Sequence, residues 1–411
     1  MTVNTISRLG TANAYDSTVA NLQTRQNTLA NLQESLSSGK KINTPSDDPT
    51  GAAQAERALN RLARIATDQR ALESQRNAIA SAESTLGSIT DALQQVRELT
   101  VSAGNGSFTA ADRKTVTDQI AGLRQRILSL ANTQDSNGQP LFAALGSALA
   151  PISGPGTAPD YAFNGLPGTA SGGTYSIASA LDGESAFMLQ PARDAAYNVQ
   201  TTSATGGIST GAVTKANAAL INGSSYAIQI TGFAANTVSY NIVETPVPAP
   251  PAVAAPASGS ASWTAGQGFT ISEMPGLTLA VSGTPTVGDT LSVNTNSSVF
   301  ATLDHAVADI SAATTSAGAS QAVTQALHNI DISMARISAV RGQAGDLLNR
   351  ADSITSTNDK RTIEQTANKS RAEDVDMVKA ISEFQSQQTG YQAALQSYAQ
   401  IQKLSLFNYV G

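Results

Sequence analysis

Hydrophobic residues recur at intervals of seven toward both ends of the chain, and the middle lacks this repeat. Near the N-terminus the repeat consists of Tyr15, Leu22, Leu29 and Leu36. After a break, a longer series at the same interval runs from Ile65 to Leu93. Seven residues make two turns of an α-helix, and so narrow an apolar stripe is typical of a coiled coil or a long helix bundle. The pattern predicts two long helices in the first third of the chain.

Further helices are predicted by the same criterion. A shorter one carries apolar residues from Val116 to Leu130 at alternating steps of four and three. Thr109 and Asp112 form a capping pair at its start. The stripe resumes between Val323 and Ala351, and a last stripe closes the chain. The apolar members of that last stripe are Met377, Ile381, Phe384, Tyr391, Leu395, Tyr398 and Ile401.

The proline content predicts that the middle of the chain is non-helical. Thirteen of the 15 prolines lie between Pro140 and Pro285, and proline is excluded from helix interiors. Alternating apolar and polar positions at 226–230 and 238–242 predict half-buried strands, and shorter alternations follow up to residue 293. We predict a mainly β domain over 139–301 with a flexible Pro/Ala-rich insert at 245–258.

Together these patterns predict a mainly α protein with an inserted β domain, arranged as a discontinuous, layered chain. The predicted layers are a terminal coiled-coil assembly domain of residues 1–45 and 360–411, a long-helix bundle of residues 46–138 and 302–359, and a mainly β outer domain of residues 139–301.

The two ends carry almost no charge beside their apolar stripes. From 384 to 411 only Lys403 is charged, and from 9 to 33 only Asp16 and Arg25 are. A water-exposed helix normally carries charges on its outer face, whereas a helix surrounded by protein avoids unpaired charges. We expect both ends to pack together and then against copies of the chain or close relatives, and to be largely unfolded in the lone chain. The predicted subunit interface combines the first and last stripes.

Composition and charge exclude several classes of function. The net charge of −6 argues against nucleic-acid binding. The sequence has no Cys and two His, His305 and His328, which leaves little for metal binding or acid–base catalysis. No apolar run approaches the roughly 18–20 residues of a membrane helix, and residues 1–21 lack the apolar core of a cleaved signal peptide. We therefore predict a non-enzyme with no cofactor, no bound metal and no membrane insertion.

Three local motifs are better explained as structural features than as catalytic or metal-binding sites. Residues 207–211 match the G-x-S-x-G nucleophile pattern, but that motif needs a strand-to-helix elbow and a His partner. Residues 139–301 contain no His, so a zinc peptidase motif is absent as well. Asp135 begins a predicted turn rather than a calcium loop. Asp47 and Asp48 are interpreted as helix-capping residues.

Several longer motifs resemble the bacterial flagellin family. Residues 36–43, followed by Asp47 and Asp48, are similar to a turn of that family, and residues 370–376 and 95–99 resemble its C-terminal motif and central helix. Residues 45–49 and the ending 398–407 resemble the branch of the family that forms the hook–filament junction. The resemblance covers roughly residues 1–145 and 302–411, and it assigns an inter-domain turn to Gly39, Lys40, Asn43, Asp47 and Asp48.

The resemblance also implies a function and partners. Such a protein is exported by the flagellar type III pathway and assembles as a thin ring between hook and filament. The implied partners are copies of itself, hook-associated protein 1, flagellin and an export chaperone that binds the C-terminal helix. Two alternatives stay open at this point. One is a filament-forming flagellin, and the other is a surface adhesin that binds glycans through the β domain, where Trp263 is the main stacking platform.

Overall fold

The computed structural model describes residues 4–155, 161–170, 172–203, 207–246 and 257–410, and the side chains of 4–15 and 401–410 lie outside the description. The chain divides into two compact units. The terminal unit comprises Met1–Gln69 and Thr355–Gly411, and the central unit comprises Arg70–Ile354. The predicted boundaries at residues 45 and 360 lie within the terminal unit, and the three-domain division stays a prediction.

Long helices lie where the seven-residue repeats predicted them, and the mainly α class with an inserted β domain is confirmed. The long helices are α1 (Asn4–Ser38), α2 (Pro49–Ala103), α3 (Ala110–Ala131), α6 (Val299–Ala312), α7 (Ser316–Glu373) and α8 (Met377–Val410), and two short ones are α4 (Gly183–Phe187) and α5 (Pro191–Asp194). No helix among the described residues is long and apolar enough to cross a membrane.

The start of α3 confirms the predicted capping pair. The backbone N–H of Asp112 donates to Thr109 Oγ1 at 3.2 Å, and the backbone N–H of Thr109 donates to Asp112 Oδ2 at 2.9 Å. This reciprocal arrangement satisfies donors that the first turn of a helix leaves free.

The first hydrophobic core lies among the helices of the central unit. On α2 the buried series is Leu72, Ile79, Leu86 and Leu93, and each is at most 1% exposed. Helix α7 supplies Ile330, Ile337, Ala344 and Ala351 to the same core. Burial of each large aliphatic side chain stabilises the fold by about 1.5–3 kcal/mol. The stripes predicted between Leu72 and Leu93 and between Ile330 and Ala351 are therefore the inner faces of this bundle.

The second core lies between two antiparallel sheets in the same unit. The five-stranded sheet has the order β3-β10-β5-β6-β7, and the three-stranded sheet has the order β4-β9-β8. A two-stranded ladder, β1-β2, lies apart from them in the topology. The strands are β1 (Ile152–Ser153), β2 (Ala162–Phe163), β3 (Tyr197–Thr202), β4 (Ile208–Lys215), β5 (Ser225–Ala234), β6 (Thr237–Thr245), β7 (Ala257–Ser262), β8 (Phe269–Ile271), β9 (Leu277–Gly283) and β10 (Thr290–Thr295).

The predicted strands are present, and β5 and β6 form a tight hairpin. The two residues between them, Ala235 and Asn236, have φ angles of 49° and 59°, as a two-residue turn with primed geometry requires. Tyr226, Ile228 and Ile230 all point into the second core. Five strands were not predicted: β1, β2, β3, β4 and β7. Strand β7 consists of Ala, Ser and Gly, so it lacks the apolar alternation that identifies a strand.

Residues 139–194 do not belong to the β core, although they lie in the range predicted as mainly β. Phe142 packs edge-to-face on Phe187 with ring centroids 5.3 Å apart, and Phe187 lies 5.9 Å from Phe300 of α6. All three side chains are part of the helical core. The second core begins only at Ala195. Proline content predicted no helix here, whereas the segment contains the short helices α4 and α5. Proline content also carries no information about which core a segment joins.

Helix α7 joins the β core through a series of amide side chains. The backbone N–H of Val199 in β3 donates to Gln325 Oε1 at 2.9 Å, and the backbone N–H of Thr210 in β4 donates to Gln321 Oε1 at 3.0 Å. One turn further along α7, Asn329 Nδ2 donates to the Tyr197 carbonyl at 2.8 Å. Strands β3 and β4 are edges of the two sheets. Helix α7 therefore satisfies backbone groups that an open sheet edge would leave unpaired.

We predicted that the two chain ends are largely unfolded in the lone chain and that the Pro/Ala-rich insert is flexible. Both chain ends are helical in the single chain, as α1 and α8, whereas we expected them to be largely unfolded there. Most of the predicted insert, residues 247–256, lies outside the described residues, and β7 begins at Ala257.

The local motifs have the non-catalytic structures that the sequence predicted. Residues 208–211 belong to strand β4 rather than to a strand-to-helix elbow. Asp135 Oδ1 accepts from the backbone N–H groups of Asn137 and Gln139, each at 2.8 Å, which makes it the first residue of a turn.

Candidate functional site

The turn between α1 and α2 is held against the end of α7. Helix α1 ends at Gly39, whose φ of 73° is the left-handed conformation in which glycine is favoured. The backbone N–H of Lys41 donates to the Glu373 carbonyl at 2.8 Å, and that of Val375 donates to the Gly39 carbonyl at 3.0 Å. Lys40 forms an ion pair with Glu373. The two family-like motifs, 36–43 and 370–376, are therefore brought together by the fold.

The two acidic residues of the turn, Asp47 and Asp48, have a structural role as acceptors of backbone hydrogen bonds. Asp47 Oδ2 accepts from the backbone N–H groups of Asn43 and Thr44 at 3.0 and 2.8 Å. Asp48 Oδ1 accepts from those of Thr50 and Gly51, each at 3.0 Å, and so caps α2, which starts with Pro49. The capping role predicted for Asp48 is confirmed, whereas the one predicted for Asp47 is wrong, because Asp47 accepts from backbone groups that precede α2.

These hydrogen bonds favour the ionised carboxylates. The pKa of Asp47 is lowered first by the backbone and side-chain hydrogen bonds of Thr44. The pKa of Asp48 is lowered first by the backbone N–H of Gly51 and then by the Thr50 hydroxyl. The five predicted turn residues thus lie in one connected structure, and their role as an inter-domain turn stays a prediction.

The predicted subunit-interface residues lie on α1 and α8, and the pairing of these helices leaves much of their apolar surface uncovered. Leu22, Leu29 and Leu36 are half-buried. Phe384, Tyr391 and Tyr398 are half-buried on α8, while Met377, Ile381 and Leu395 are exposed. The side chains of Tyr15 and Ile401 lie outside the described residues.

One apolar residue of this surface was missed from the sequence. Val378 is 81% exposed, the largest exposure among the large hydrophobic residues of α8 whose side chains are described. It does not fall on the seven-residue series, and only the exposed first turn of α8 shows it. Contiguous exposed apolar side chains are characteristic of interaction surfaces.

Arg25 is one of the few charged residues beside the apolar stripes of the two ends. Its Nη1 donates to Gln387 Oε1 on α8 at 3.2 Å. A Cβ at Gly390 would lie 2.6 Å from the same nitrogen. Glycine at 390 therefore leaves the space that this charged side chain occupies between α1 and α8.

The terminal unit contains a polar continuation of the α2–α7 seam. Asn358 and Gln365 continue the seven-residue series of α7, and they are 1% and 9% exposed. Asn358 Nδ2 donates to Gln69 Oε1 at 3.2 Å, and Gln69 Nε2 donates to Thr355 Oγ1 at 3.2 Å. Amide hydrogen bonds therefore join the helices here, beside the buried aliphatic side chain of Ile65. Apolar stripes alone did not predict the positions of these amides.

The titratable groups outside the turn have structural environments. Burial lowers the pKa of His305 on α6 and of His328 on α7, so both favour the neutral form. In the described part of the chain, no group of three or more His, Cys, Asp or Glu side chains is arranged to hold a metal ion.

Comparisons with known proteins agree with this geometry. Two family models match the chain, the bacterial flagellin N-terminal helical region at residues 9–146 and the C-terminal helical region at residues 327–410. Together these spans cover more than half of the chain.

Individual relatives extend the similarity into the β region. Flagellar hook-associated protein 3 of Escherichia coli K12 is 26% identical over 417 residues, covering 97% of this chain and 98% of the relative. Flagellar hook-associated protein 3 of Salmonella typhimurium LT2 is 33% identical over 154 residues, covering 35% and 46%. The crystal structure of hook-associated protein 3 from Legionella pneumophila has a similar fold, with a TM-score of 0.62 at 24% identity over 76% of this chain and 97% of that one.

Proposed function

The chain belongs to the bacterial flagellin family, and from this premise we propose that it is the structural component of the flagellum that joins hook to filament. The observation that carries the proposal is the similarity to a flagellar hook-associated protein 3 along 97% of the chain. The turn that links the motifs of the two ends, and the exposed apolar face of α8, support an assembly role.

The mechanism that we propose is association driven by burial of apolar surface. Two narrow stripes bury little surface as an isolated pair. The apolar side chains that α8 leaves exposed, Met377, Val378, Ile381 and Leu395, become buried only when neighbouring subunits cover them. Incorporation is then favourable at the growing end and unfavourable elsewhere.

The proposed partners follow from this position in the flagellum. They are copies of the chain in a ring, hook-associated protein 1 on the hook side, and flagellin on the filament side. A chaperone would hold the C-terminal helix during type III export. In the proposed layered arrangement, residues 1–45 and 360–411 form the inner assembly domain, and the β region faces solvent.

The glycan-binding alternative is not favoured by the environment of Trp263. Its ring packs edge-to-face on Phe233 with centroids 5.3 Å apart, and its Nε1 donates to the Gly283 carbonyl at 2.7 Å. The fold thus uses both the ring and the N–H that a sugar would need.

Deletion of residues 385–411 tests the proposal directly. We expect the truncated chain to remain folded and soluble but to be unable to join hooks to filaments, because half of the paired stripes is lost. Swimming and circular dichroism of the purified chain measure the two effects. The proposal fails if the truncated chain supports filament growth.

Localisation separates the junction role from the alternative of a filament-forming flagellin. Immunogold labelling of the full-length chain should give a narrow band at the distal end of the hook. Label along whole filaments, together with long filaments formed by the purified chain alone, would identify it as a flagellin instead.

A further inference from the structure

A groove of about 310 Å³ lies between α2 and α7 within the terminal unit. Two alanines, Ala58 and Ala372, form part of its lining, and their small side chains leave space between the helices. The remaining space is lined mainly by long cationic or amide side chains, among them Arg57, Arg61, Gln365 and Arg371. The groove is a direct consequence of the polar continuation of the α2–α7 seam.

The charges of this groove are uncompensated. Among the described residues, Arg57, Arg61 and Arg371 form no ion pair with a carboxylate. Arg61 Nη1 donates to the buried Gln365 Oε1 at 3.5 Å, and Arg371 donates to Asn368. The nearby carboxylate of Glu373 pairs with two lysines instead.

Three unpaired guanidinium groups around one groove select for a carboxylate-bearing partner. The planar guanidinium matches a carboxylate with two parallel hydrogen bonds, and such charge-assisted bonds are about twice as strong as neutral ones. A groove without acidic side chains also repels a basic surface. The chemistry therefore indicates a partner that presents acidic side chains on a narrow element.

The chain itself carries such an element on the part of α2 that belongs to the central unit. Asp91 and Glu98 are both exposed, and neither forms an ion pair in the described part of the chain. Glu98 follows Asp91 by seven residues. At about 100° and 1.5 Å per residue, this interval places the two carboxylates on one helix face, about 10 Å apart along the axis.

We propose that the arginine groove of one copy receives this acidic face of α2 from a second copy. The inference rests on the proposed function, because it requires many copies side by side in a ring. Two carboxylates about 10 Å apart on one copy meet the arginines around the groove of the other. The contact would set the register between neighbouring subunits, while the apolar stripes of α1 and α8 supply most of the buried area.

Charge reversal with a compensating swap tests the proposal in flagellated cells. The double variant Arg57→Glu/Arg61→Glu should reduce incorporation at hook ends by at least about tenfold, because like charges then face each other. Asp91→Arg/Glu98→Arg should do the same. The chain carrying all four substitutions should regain incorporation. Arg126→Glu, an exposed arginine of α3 outside both surfaces, is the matched control and should incorporate normally.

Thermal unfolding of each variant separates assembly from folding. We expect unfolding temperatures within about 2 °C of the unmodified chain, since all the changed side chains are exposed. Normal incorporation of either double variant would overturn the proposal. Loss of incorporation that the fourfold variant does not restore would overturn the assignment of a second copy as the partner.

Disulfide cross-linking gives a readout that does not depend on where the protein is located. The chain has no Cys, so Gln54→Cys at the groove and Gln95→Cys on the acidic face provide the only thiols. Oxidation of assembled chains carrying both should give covalent dimers and longer ladders. Ala63→Cys/Gln95→Cys, with the first thiol on the opposite side of α2, should give none. Cross-linking without junction labelling would refute the proposed function but support the groove, and junction labelling without cross-linking would do the reverse.

Discussion

Helices α2 and α7 each contribute to both units, but the seam that they form differs between them. In the central unit the α7 series is Ile337, Ala344 and Ala351, all 0% exposed within an aliphatic core. In the terminal unit the same series continues as Asn358 and Gln365, which hydrogen-bond to α2. The same spacing thus serves two purposes. The apolar seam stabilises a subunit by itself, whereas the polar seam specifies pairing but adds little stability.

The largest expected effect is a cavity in the apolar seam. Leu86 is fully buried, so Leu86→Ala should lower the free energy of unfolding of the central unit by about 2–5 kcal/mol. Leu59→Ala on the same helix is the control, because Leu59 is 41% exposed in the terminal unit and should cost well under half as much. Urea denaturation followed by circular dichroism measures both. Equal losses would show that the two seams do not differ.

Loss of one α7 amide that hydrogen-bonds to a sheet edge should have the next largest effect on stability. Gln325→Ala leaves the buried backbone N–H of Val199 without its acceptor, which costs about 1–3 kcal/mol. Gln343→Ala, an exposed amide on the same helix, should change stability by less than about 0.5 kcal/mol. Hydrogen exchange at β3 gives a local test, since exchange there should accelerate only in the first variant. Unchanged protection of β3 would contradict the role of the α7 amides.

Conversion of the polar seam of the terminal unit into an apolar one tests whether the polar seam contributes less stability than an apolar seam. Asn358→Leu/Gln69→Leu replaces both partners of the hydrogen bond, so it should stabilise the α2–α7 pair of the terminal unit by about 1 kcal/mol while reducing the specificity of its register. Slower hydrogen exchange over 49–69 would show the stabilisation. Thr357→Leu, at an exposed position, provides the control for added hydrophobicity. Destabilisation by the double variant would mean that the amide layer is itself the source of stability there.

The smallest effect concerns pH and the turn between α1 and α2. The native pKa values of Asp47 and Asp48 lie below the ordinary value of 3.8. A group whose pKa is lowered by folding contributes stability above its unfolded pKa, and this contribution is lost as pH falls through the folded pKa. Protection of the Thr44 and Gly51 amides should therefore be constant near neutral pH and decline below about pH 4. Asp48→Asn should weaken this dependence at Gly51, and a decline already near pH 6 would contradict the assignment.

Periodicity predicted the helices well because their long-range packing repeats a local pattern. The series from Ile65 to Leu93 is almost entirely buried, and Thr109 with Asp112 forms the predicted capping box. The strands with apolar alternation were also found. Strand β7 was missed because hydrogen bonds to β6, rather than its own side chains, make it a strand. Its composition of Ala, Ser and Gly carries no such pattern.

The candidate assembly surface was predicted only in part. The stripes on α1 and α8 follow from the sequence, but their exposure does not, and Val378 lay outside the repeat. The groove around Arg61 was invisible for a different reason. Its residues come from two helices separated by about three hundred residues in the chain. Only the antiparallel register of α2 and α7 makes them neighbours.

The sequence by itself determined the helical ends, the absence of long helices from the described middle and the local caps, because periodicity, proline content and short-range hydrogen bonding act within a few turns. The tertiary structure decided that residues 139–194 join the helical core. It also decided that the α7 amides satisfy two sheet edges, and that arginines of α2 and α7 share one groove. These outcomes depend on which distant segments become neighbours, and the local pattern of a segment carries no record of its neighbours in space.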